Sequence, residues 1–491
     1  MKFLKKNEIN YSKVKLIQAW KNDDFSHAYV TLRSEDARIK AKEIISTLTF
    51  KGCQMTVKES TALPDPFMLK RKTSDEHKQN KRSKNNSKVI IDQNFDSLNQ
   101  EEKDSLINDQ VANFWKVPYE EQIKIKVKKL AQVLQSCGTE LKTIHKSANV
   151  KQTEVEDAIK FYLNVEDNHL ISEAVIKSPV INGYRNKCEF NVDSDKNVGF
   201  RLGQYKEGTV RVVEPPNNCP IVSQRMFDIL RHFKKYLIDK SIHPGYNPLT
   251  RDGVWKQILV RTTQSNDALI SIAFHRQSIS DEEIEKTIIP SIIDYFGNNI
   301  YGINSIYVQI INDRQGSAGT AKPHHIGGES HIYETLMNRT LKFRISPLSF
   351  FQINTSGAEI LYSKIIELIS CDSNSIILDI CCGTGTIGIC LAKSVKKVIG
   401  IEINKDAIDD AKFNAEINNI SNIEFHCGSA EKLIKSILNK ISNCEDIIAI
   451  IDPPRCGLAS DFIKMIRNHK KIQKLIYVSC EANSAKRNFV E

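Results

Sequence analysis

The chain has 491 residues, of which 26% are charged and 41% hydrophobic, a composition typical of a globular protein with several domains. No apolar run is long enough to span a bilayer, and the first six residues, MKFLKK, lack the apolar core of a secretory signal. The net charge of +10 favours a polyanionic partner, although a merely solvated basic surface stays open as an explanation.

The cysteines indicate a reducing compartment. Twelve are present, with no Cys-x-x-Cys pair, so reduced thiols are expected rather than disulfides. The absence of a Cys-x-x-Cys pair also argues against a zinc or iron–sulfur site. A location in the nucleus, the cytosol or both is expected.

The first segment, residues 1–60, has an α+β pattern. A strand is predicted over His27–Leu32, a helix over Ser34–Thr47, and a turn and strand over Phe50–Lys58. This order resembles the second half of an RNA-recognition fold, in which an aromatic strand, here with Tyr29, stacks on bases. An ordinary α+β fragment is an equal alternative. Because 26 residues precede His27, the first helix of such a fold is expected to be cut short by the start of the chain.

Residues 61–110 are predicted to be a basic disordered linker. Within them, residues 70–88 contain no apolar side chain, and such a segment cannot bury a core. Two basic clusters fit a nuclear-import signal, but a solvated linker is the better explanation, since such clusters often arise by chance.

A central α+β domain is predicted over residues 111–340, and it begins with a helix over Tyr119–Gln135. Further elements follow from Pro179 onward. They are strands at Cys188–Val192, Val198–Leu202, Gln257–Thr262, Ala268–His275 and Ile306–Asn312, and a helix at Val222–Ile238.

Residues 341–491 alternate strands with helices, which predicts a doubly wound, Rossmann-like parallel sheet. A helix is expected over Asn404–Asn418. The predicted strands are Ile376–Ile380, Lys397–Glu402, Ile423–Cys427, Ile447–Ile451 and Lys474–Ser479.

A glycine-rich turn follows the first of these strands. Gly383, Gly385 and Gly388 form a Gly-x-Gly-x-x-Gly pattern whose backbone can approach a ligand closely. Glu402 ends the next strand, where a carboxylate can accept both ribose hydroxyls. NAD and S-adenosylmethionine are both compatible with these features, and the downstream residues decide between them.

Two further strands end in an Asp-Pro-Pro loop at Asp452 and in Cys480. Carbon 5 of uracil is a poor nucleophile, and attack of a thiolate on carbon 6 creates an enolate that accepts a methyl group. Cys480 is predicted to supply that thiolate; the other cysteines are assigned to packing. A cytosine-5 RNA methyltransferase is a weaker alternative, because its cysteines typically follow Pro or Thr and none does so here.

Seven sequence motifs occur together in one order. They are Gly183–Phe190, Val198–Gly203, Trp255–Thr262, Ser346–Asn354, the glycine-rich turn, Asp452-Pro-Pro-Arg455 and Val478–Cys480. In these motifs the chain resembles the tRNA (uracil-5-)-methyltransferase family, most closely its eukaryotic branch with an N-terminal RNA-recognition-like domain, and the resemblance covers roughly Asn113 to Glu491.

The resemblance implies S-adenosylmethionine as the methyl donor and a T-loop uridine of tRNA as the target, flipped out of its stack. It implies a chain without metal or iron–sulfur cluster, and a monomer is expected. Cys480 is the implied nucleophile. The implied cofactor site consists of Gln352, Cys381, Gly383, Gly385, Glu402 and Asp452, and the implied RNA contacts are Arg185, Asn186 and Lys187.

The chain departs from the family pattern after the cysteine. Eleven residues, 481–491, follow Cys480, and they hold no His-x-Glu motif of the kind that supplies the family's general base. Residue 481 is Glu where the family usually has Asn. The chain is therefore expected to be truncated at both ends, and a tRNA-binding or tRNA-folding protein without full turnover is the alternative function.

Overall fold

A computed structural model describes residues 13–17, 27–31, 35–46, 49–50, 53–54, 95–148, 153–165, 175–203, 210–297, 301–312, 321–369, 374–441 and 446–490. The chain divides into two compact units, Met1–Lys84 and Asn85–Glu491. Among the described residues, no helix is long and apolar enough to cross a membrane, and no cluster of three His, Cys, Asp or Glu side chains could hold a metal.

The described residues of the first unit form two small antiparallel sheets and one helix. Strand β1 pairs with β2 so that Lys13 faces Thr31, and β1 was not predicted from the sequence. The side chain of Tyr29 and the predicted strand beyond Gln54 lie outside the described residues. The elements are β1 (Lys13–Ile17), β2 (His27–Thr31), α1 (Glu35–Ser46), β3 (Thr49–Phe50) and β4 (Cys53–Gln54).

The linker prediction is wrong over residues 95–110, which are folded and belong to the second unit. Asn99 caps helix α2 (Gln100–Val111) through a capping box with Glu102, and this pairing satisfies donors at the helix start. Buried Ile107 packs with Phe95 and Leu202. Two more helices follow, α3 (Tyr119–Ala148), which is longer than predicted, and α4 (Thr153–Leu163).

The central domain is a seven-stranded, mainly antiparallel sheet in the order β11-β10-β9-β8-β5-β6-β7. Every residue of β9 is buried because both faces of the sheet are covered. The elements are β5 (Lys187–Val192), β6 (Val198–Arg201), β7 (Val212–Val213), α5 (Gln224–Asp239), β8 (Trp255–Thr262), β9 (Ala268–His275), α6 (Ile289–Phe296), β10 (Ser305–Ile311) and β11 (Pro323–Gly328).

A hairpin of β12 (Ile332–Leu336) and β13 (Leu341–Ile345) joins the central domain to the C-terminal domain. The predicted domain boundary between residues 340 and 341 is wrong, because it separates the two paired strands of this hairpin. The hairpin was missed because its strands are short, although buried residues alternate in them with more accessible ones. One apolar cluster contains residues of the central sheet, the hairpin and the C-terminal sheet, among them Leu259, Leu269, Phe343, Ile377 and Ile450.

The C-terminal domain is the predicted doubly wound sheet, with five parallel strands in the order β16-β15-β14-β17-β18. Its central strands, β14, β15 and β17, are mostly apolar because helices cover both faces. The elements are α7 (Thr355–Ile369), β14 (Ile376–Ile380), α8 (Thr386–Leu391), β15 (Lys397–Glu402), α9 (Lys405–Ile417), β16 (Ile423–Cys427), α10 (Ala430–Lys440), β17 (Ile447–Ile451), α11 (Ser460–Arg467), β18 (Ile472–Tyr477) and α12 (Ala482–Val490).

Candidate active site

The carboxyl ends of four adjacent strands meet in one line at the edge of the C-terminal sheet. Ile380 of β14 faces Ile401 of β15 on one side and Ile451 of β17 on the other, and Ile451 faces Tyr477 of β18. The strand order reverses between β14 and β17, and the crevice at such a point is where ligands bind in these sheets. The predicted residues that follow these strand ends are Cys381, Glu402, Asp452 and Cys480.

Two glycines of the turn after β14 have different reasons to be glycine. Gly385 has φ +77°, and a Cβ there would lie 2.9 Å from the Phe425 ring and 3.1 Å from the Ala411 side chain. Gly383 has φ +54°, and a Cβ there would meet no described atom within 4 Å. Gly385 is therefore required by packing, whereas Gly383 borders open space in which the backbone can face a ligand.

Glu402 holds the same turn from the end of β15. Its carboxylate accepts hydrogen bonds from the backbone N–H groups of Gly383 at 3.2 Å and Asn404 at 2.9 Å. Each oxygen keeps a further lone pair, so the carboxylate can also accept the two hydroxyls of a ribose. The glycine turn, its open side and this carboxylate fit an adenosine cofactor.

Replacement of Glu402 by glutamine is expected to weaken S-adenosylmethionine binding about 10- to 100-fold, because one charge-assisted acceptor is lost. Isothermal titration with the cofactor measures the effect. Glu424→Gln, a change on the neighbouring strand β16, serves as the control and should bind normally. Equal affinities of wild type and Glu402→Gln would contradict the assignment.

Asp379 is a fully buried carboxylate in the otherwise apolar β14. Its Oδ2 accepts the backbone N–H of Gly388 at 2.9 Å, and its Oδ1 has no hydrogen-bond partner among the described residues. Burial raises the pKa of Asp379 to about 7; the Gly388 N–H opposes this shift, and the nearby Asp452 and Glu402 add to it. The side chain fixes the start of α8 from below the cofactor turn.

The raised pKa of Asp379 predicts a pH-dependent stability. Between pH about 4 and 7 the folded carboxyl keeps a proton that the unfolded chain has lost, so the free energy of unfolding falls as pH rises through this window. An Asp379→Asn variant lacks this pH dependence. The difference in the free energy of unfolding between wild type and variant should therefore change by a few kcal/mol, the order given by linkage, between about pH 4 and 7. Denaturant unfolding at several pH values measures it, with Asp461→Asn as a surface control; parallel curves for wild type and Asp379→Asn would refute the prediction.

Asp452 begins the Asp-Pro-Pro loop after β17. Its backbone N–H donates to the Ile380 carbonyl at 3.2 Å, which places it at the switch point, and burial raises the pKa of Asp452 to about 6. Asn488 of α12 braces the end of the loop, because its Oδ1 accepts from the Leu458 N–H and the Tyr477 hydroxyl, both at 2.9 Å.

Cys480 follows β18 at the same edge and is exposed. The Val478 N–H donates to the Ile451 carbonyl at 2.8 Å, so the chain leaves the sheet directly beside Asp452. Cys381, by contrast, is partly buried in the cofactor turn, where its backbone has φ +64°. Desolvation raises the pKa of its thiol to about 12. Of these two thiols, Cys480 is therefore the one that is open to a substrate, and Cys381 stays protonated within the cofactor turn.

The segment before α7 carries Gln352 and is tied to the cofactor turn through α9. Ser346 donates to Asp410 at 3.1 Å, and Arg344 forms an ion pair with the same carboxylate at 2.6 Å. One turn further along α9, the amide of Asn414 donates to the Thr384 carbonyl in the cofactor turn at 3.1 Å. Helix α9 therefore fixes both segments relative to each other.

Comparison with known proteins decides which family this arrangement represents. Residues 173–491 match the sequence profile described as tRNA (Uracil-5-)-methyltransferase. The mouse tRNA (uracil-5-)-methyltransferase homolog A is 35% identical over 94% of this chain and 72% of its own length. The human homolog B is 34% identical over 78% of this chain and 75% of its own length.

The chain belongs to the tRNA (uracil-5-)-methyltransferase family. The tRNA (uracil-54, C5)-methyltransferase of Pyrococcus abyssi, solved with S-adenosyl-L-homocysteine, has a similar fold, with a TM-score of 0.52 and 24% identity over 67% of this chain and 74% of that one. The predicted fold class and family resemblance are confirmed.

The three residues expected to contact tRNA in this family member already have partners within the protein. The Asn186 amide donates to the Gln352 carbonyl at 2.7 Å and to the Thr355 hydroxyl at 2.9 Å. Lys187 pairs with Glu189 at 2.8 Å, and the Arg185 side chain lies beside the buried Cys188 thiol. Asn186 thus links the central domain to the segment that carries Gln352, and a role of the three residues in RNA binding stays a prediction.

Sequence reasoning missed several polar residues that shape the methyltransferase site, namely Asp379, Asp410, Asn414 and Asn488. Asp379 had a usable signal, since a carboxylate inside an Ile-Ile-Leu-Asp-Ile strand has no ordinary structural reason. The other three look like surface positions of amphipathic helices. Their partners are distant in sequence, so the pattern alone cannot identify them.

Proposed function

We propose that this chain methylates carbon 5 of a T-loop uridine in tRNA, with Cys480 as the nucleophile and S-adenosylmethionine as the donor. The main supporting observation is the alignment of Glu402, the Gly383 turn, Asp452 and the exposed Cys480 along one sheet edge. The cofactor and the uracil then occupy neighbouring positions on the two sides of the switch point.

In the proposed reaction the Cys480 thiolate attacks carbon 6 of the uracil, and the electron pair of the C5–C6 double bond moves to the carbonyl oxygen at carbon 4. S-adenosylmethionine, when bound, supplies an electrophilic sulfonium methyl group. The cofactor would be held beside the uracil by Glu402, Gly383, Gln352 and Asp452. After methyl transfer, loss of the carbon 5 proton to a base restores the double bond and breaks the bond between Cys480 and carbon 6.

The proposal is tested with an unmodified tRNA transcript and S-adenosylmethionine. Nuclease digestion and mass spectrometry should detect 5-methyluridine, and a transcript with cytidine in place of the T-loop uridine should yield none. A tRNA carrying 5-fluorouridine at that position should form a stable covalent adduct, because carbon 5 then has no proton to lose. Adduct without product from normal tRNA would favour the alternative of a tRNA-binding protein without turnover.

A further inference from the structure

Arg261 is a buried cation that the proposed reaction does not use. It lies on β8, is 2% exposed and belongs to the face of the central sheet that meets the hairpin. Burial lowers the pKa of its guanidinium to about 10, and the nearby Glu189 opposes the shift, so the group stays charged at neutral pH. A buried charge of this kind is costly unless its donors are used.

The guanidinium donates to the backbone of one turn in the segment before α7. Arg261 Nε donates to the Pro347 carbonyl at 3.1 Å, and Nη2 donates to the Ser349 carbonyl. The Ser349 hydroxyl closes the same turn, since it accepts the Ser346 N–H at 3.1 Å and donates to the Ser346 carbonyl at 3.0 Å. The turn is thus held from inside and from below.

The opposite side of this turn is open. Phe350 is 67% exposed, although the adjacent Phe351 is 4% exposed and packs in the shared apolar cluster. Gln352 follows directly, and Ser346 reaches Asp410 on the helix that also holds the cofactor turn. Packing does not explain a large exposed aromatic ring on a rigid turn, whereas contact with a ligand at the neighbouring cofactor site does.

The planar fork of Arg261 suits this task better than other side chains. Two carbonyls two residues apart need two donors with a fixed separation, which a guanidinium provides and an ammonium does not. An apolar side chain would fill the volume but leave both carbonyls without these donors.

We propose that Arg261 is a positioning residue for methyl transfer, which holds the Ser346–Ser349 turn so that Phe350 and Gln352 stand correctly at the cofactor and uracil site. The inference rests on the proposed function. It gives the central domain an indirect role in methyl transfer, because Arg261 of that domain holds the backbone of the segment that carries Gln352.

The test compares full-length wild type with Arg261→Met, Arg261→Lys and the control Arg276→Met. Arg276 also donates to a backbone carbonyl, that of Ile279 at 3.2 Å. It lies in the central domain and does not contact the Ser346–Ser349 turn. Steady-state formation of 5-methyluridine gives kcat and the KM values for tRNA and cofactor. Arg261→Met should lower kcat on the order of 100-fold, as expected for a displaced reacting group, and Arg261→Lys should lower it less. The KM for tRNA should stay at the wild-type level, and the control should be fully active.

Each other outcome has a distinct meaning. Wild type without 5-methyluridine would refute the proposed function itself, whatever the variants do. Folded Arg261 variants with wild-type kcat would overturn the positioning role. So would a loss of kcat that disappears at a lower temperature, where the variants are folded to the same extent as wild type. If neither Arg261 variant folds, Ser349→Ala loosens the same turn, and wild-type kinetics for that variant would also overturn the proposal.

Discussion

A Cys480→Ala variant is expected to bind tRNA and S-adenosylmethionine normally and to form 5-methyluridine at least about 10⁴-fold more slowly, which is the scale seen when a catalytic nucleophile is removed. The exposed thiol lies where β18 ends beside Asp452, and alanine at position 480 has no nucleophile that could form the bond to carbon 6. Mass spectrometry of digested tRNA measures product, and gel electrophoresis measures the adduct with 5-fluorouridine tRNA.

The matched control is Cys456→Ala, because Cys456 is also exposed and lies in the Asp-Pro-Pro loop at the same sheet edge. It should keep both product and adduct. If Cys480→Ala formed 5-methyluridine at the wild-type rate, or if the adduct depended on Cys456 instead, the assignment of the nucleophile would be wrong.

The two turn glycines should respond differently to alanine. Gly383→Ala places a methyl group in the open space beside the turn, so cofactor affinity is expected to fall about 10- to 100-fold, the cost of overpacking by 1–3 kcal/mol. Its stability should fall by about 1–2 kcal/mol because alanine is strained at positive φ.

Gly385→Ala should show the opposite balance. Its Cβ would crowd Phe425 and Ala411 in addition to the strain at φ +77°, so a loss of stability of about 2–5 kcal/mol is expected. Cofactor titration and denaturant unfolding of both variants separate the effects. A cofactor defect that appears only in Gly385→Ala would show that the open side of the turn is not the binding side.

Four of the five strands of the C-terminal sheet could be predicted closely, and the three central ones are short, mainly apolar runs. The fifth, β18, was predicted at Lys474–Ser479 and is found at Ile472–Tyr477. Ile376–Ile380, Lys397–Glu402, Ile423–Cys427 and Ile447–Ile451 have the same limits in the prediction and the structure. A parallel sheet places all its carboxyl ends at one edge, so the positions of Glu402, Asp452 and Cys480 followed from the strand ends alone.

The supports of the site could not be predicted, because they are contacts across domains. The family resemblance implied that Asn186 contacts RNA, and nothing in the sequence indicated that its amide would donate to the carbonyl of Gln352, 166 residues further along the chain. Arg261 looks like a solvent-facing residue of a strand until the hairpin covers it. Pattern and spacing report local structure, whereas such pairs depend on which surfaces meet after folding.

The hairpin of β12 and β13 has a consequence for how this enzyme can be divided. Because Leu259 and Leu269 of the central sheet share an apolar cluster with Ile377 and Ile450 of the catalytic sheet, a fragment that starts at residue 341 would expose part of its own interior to water. Such a fragment should aggregate. A fusion of the methyltransferase domain to a different RNA-binding domain would have to include the hairpin, together with apolar side chains that replace Leu259 and Leu269.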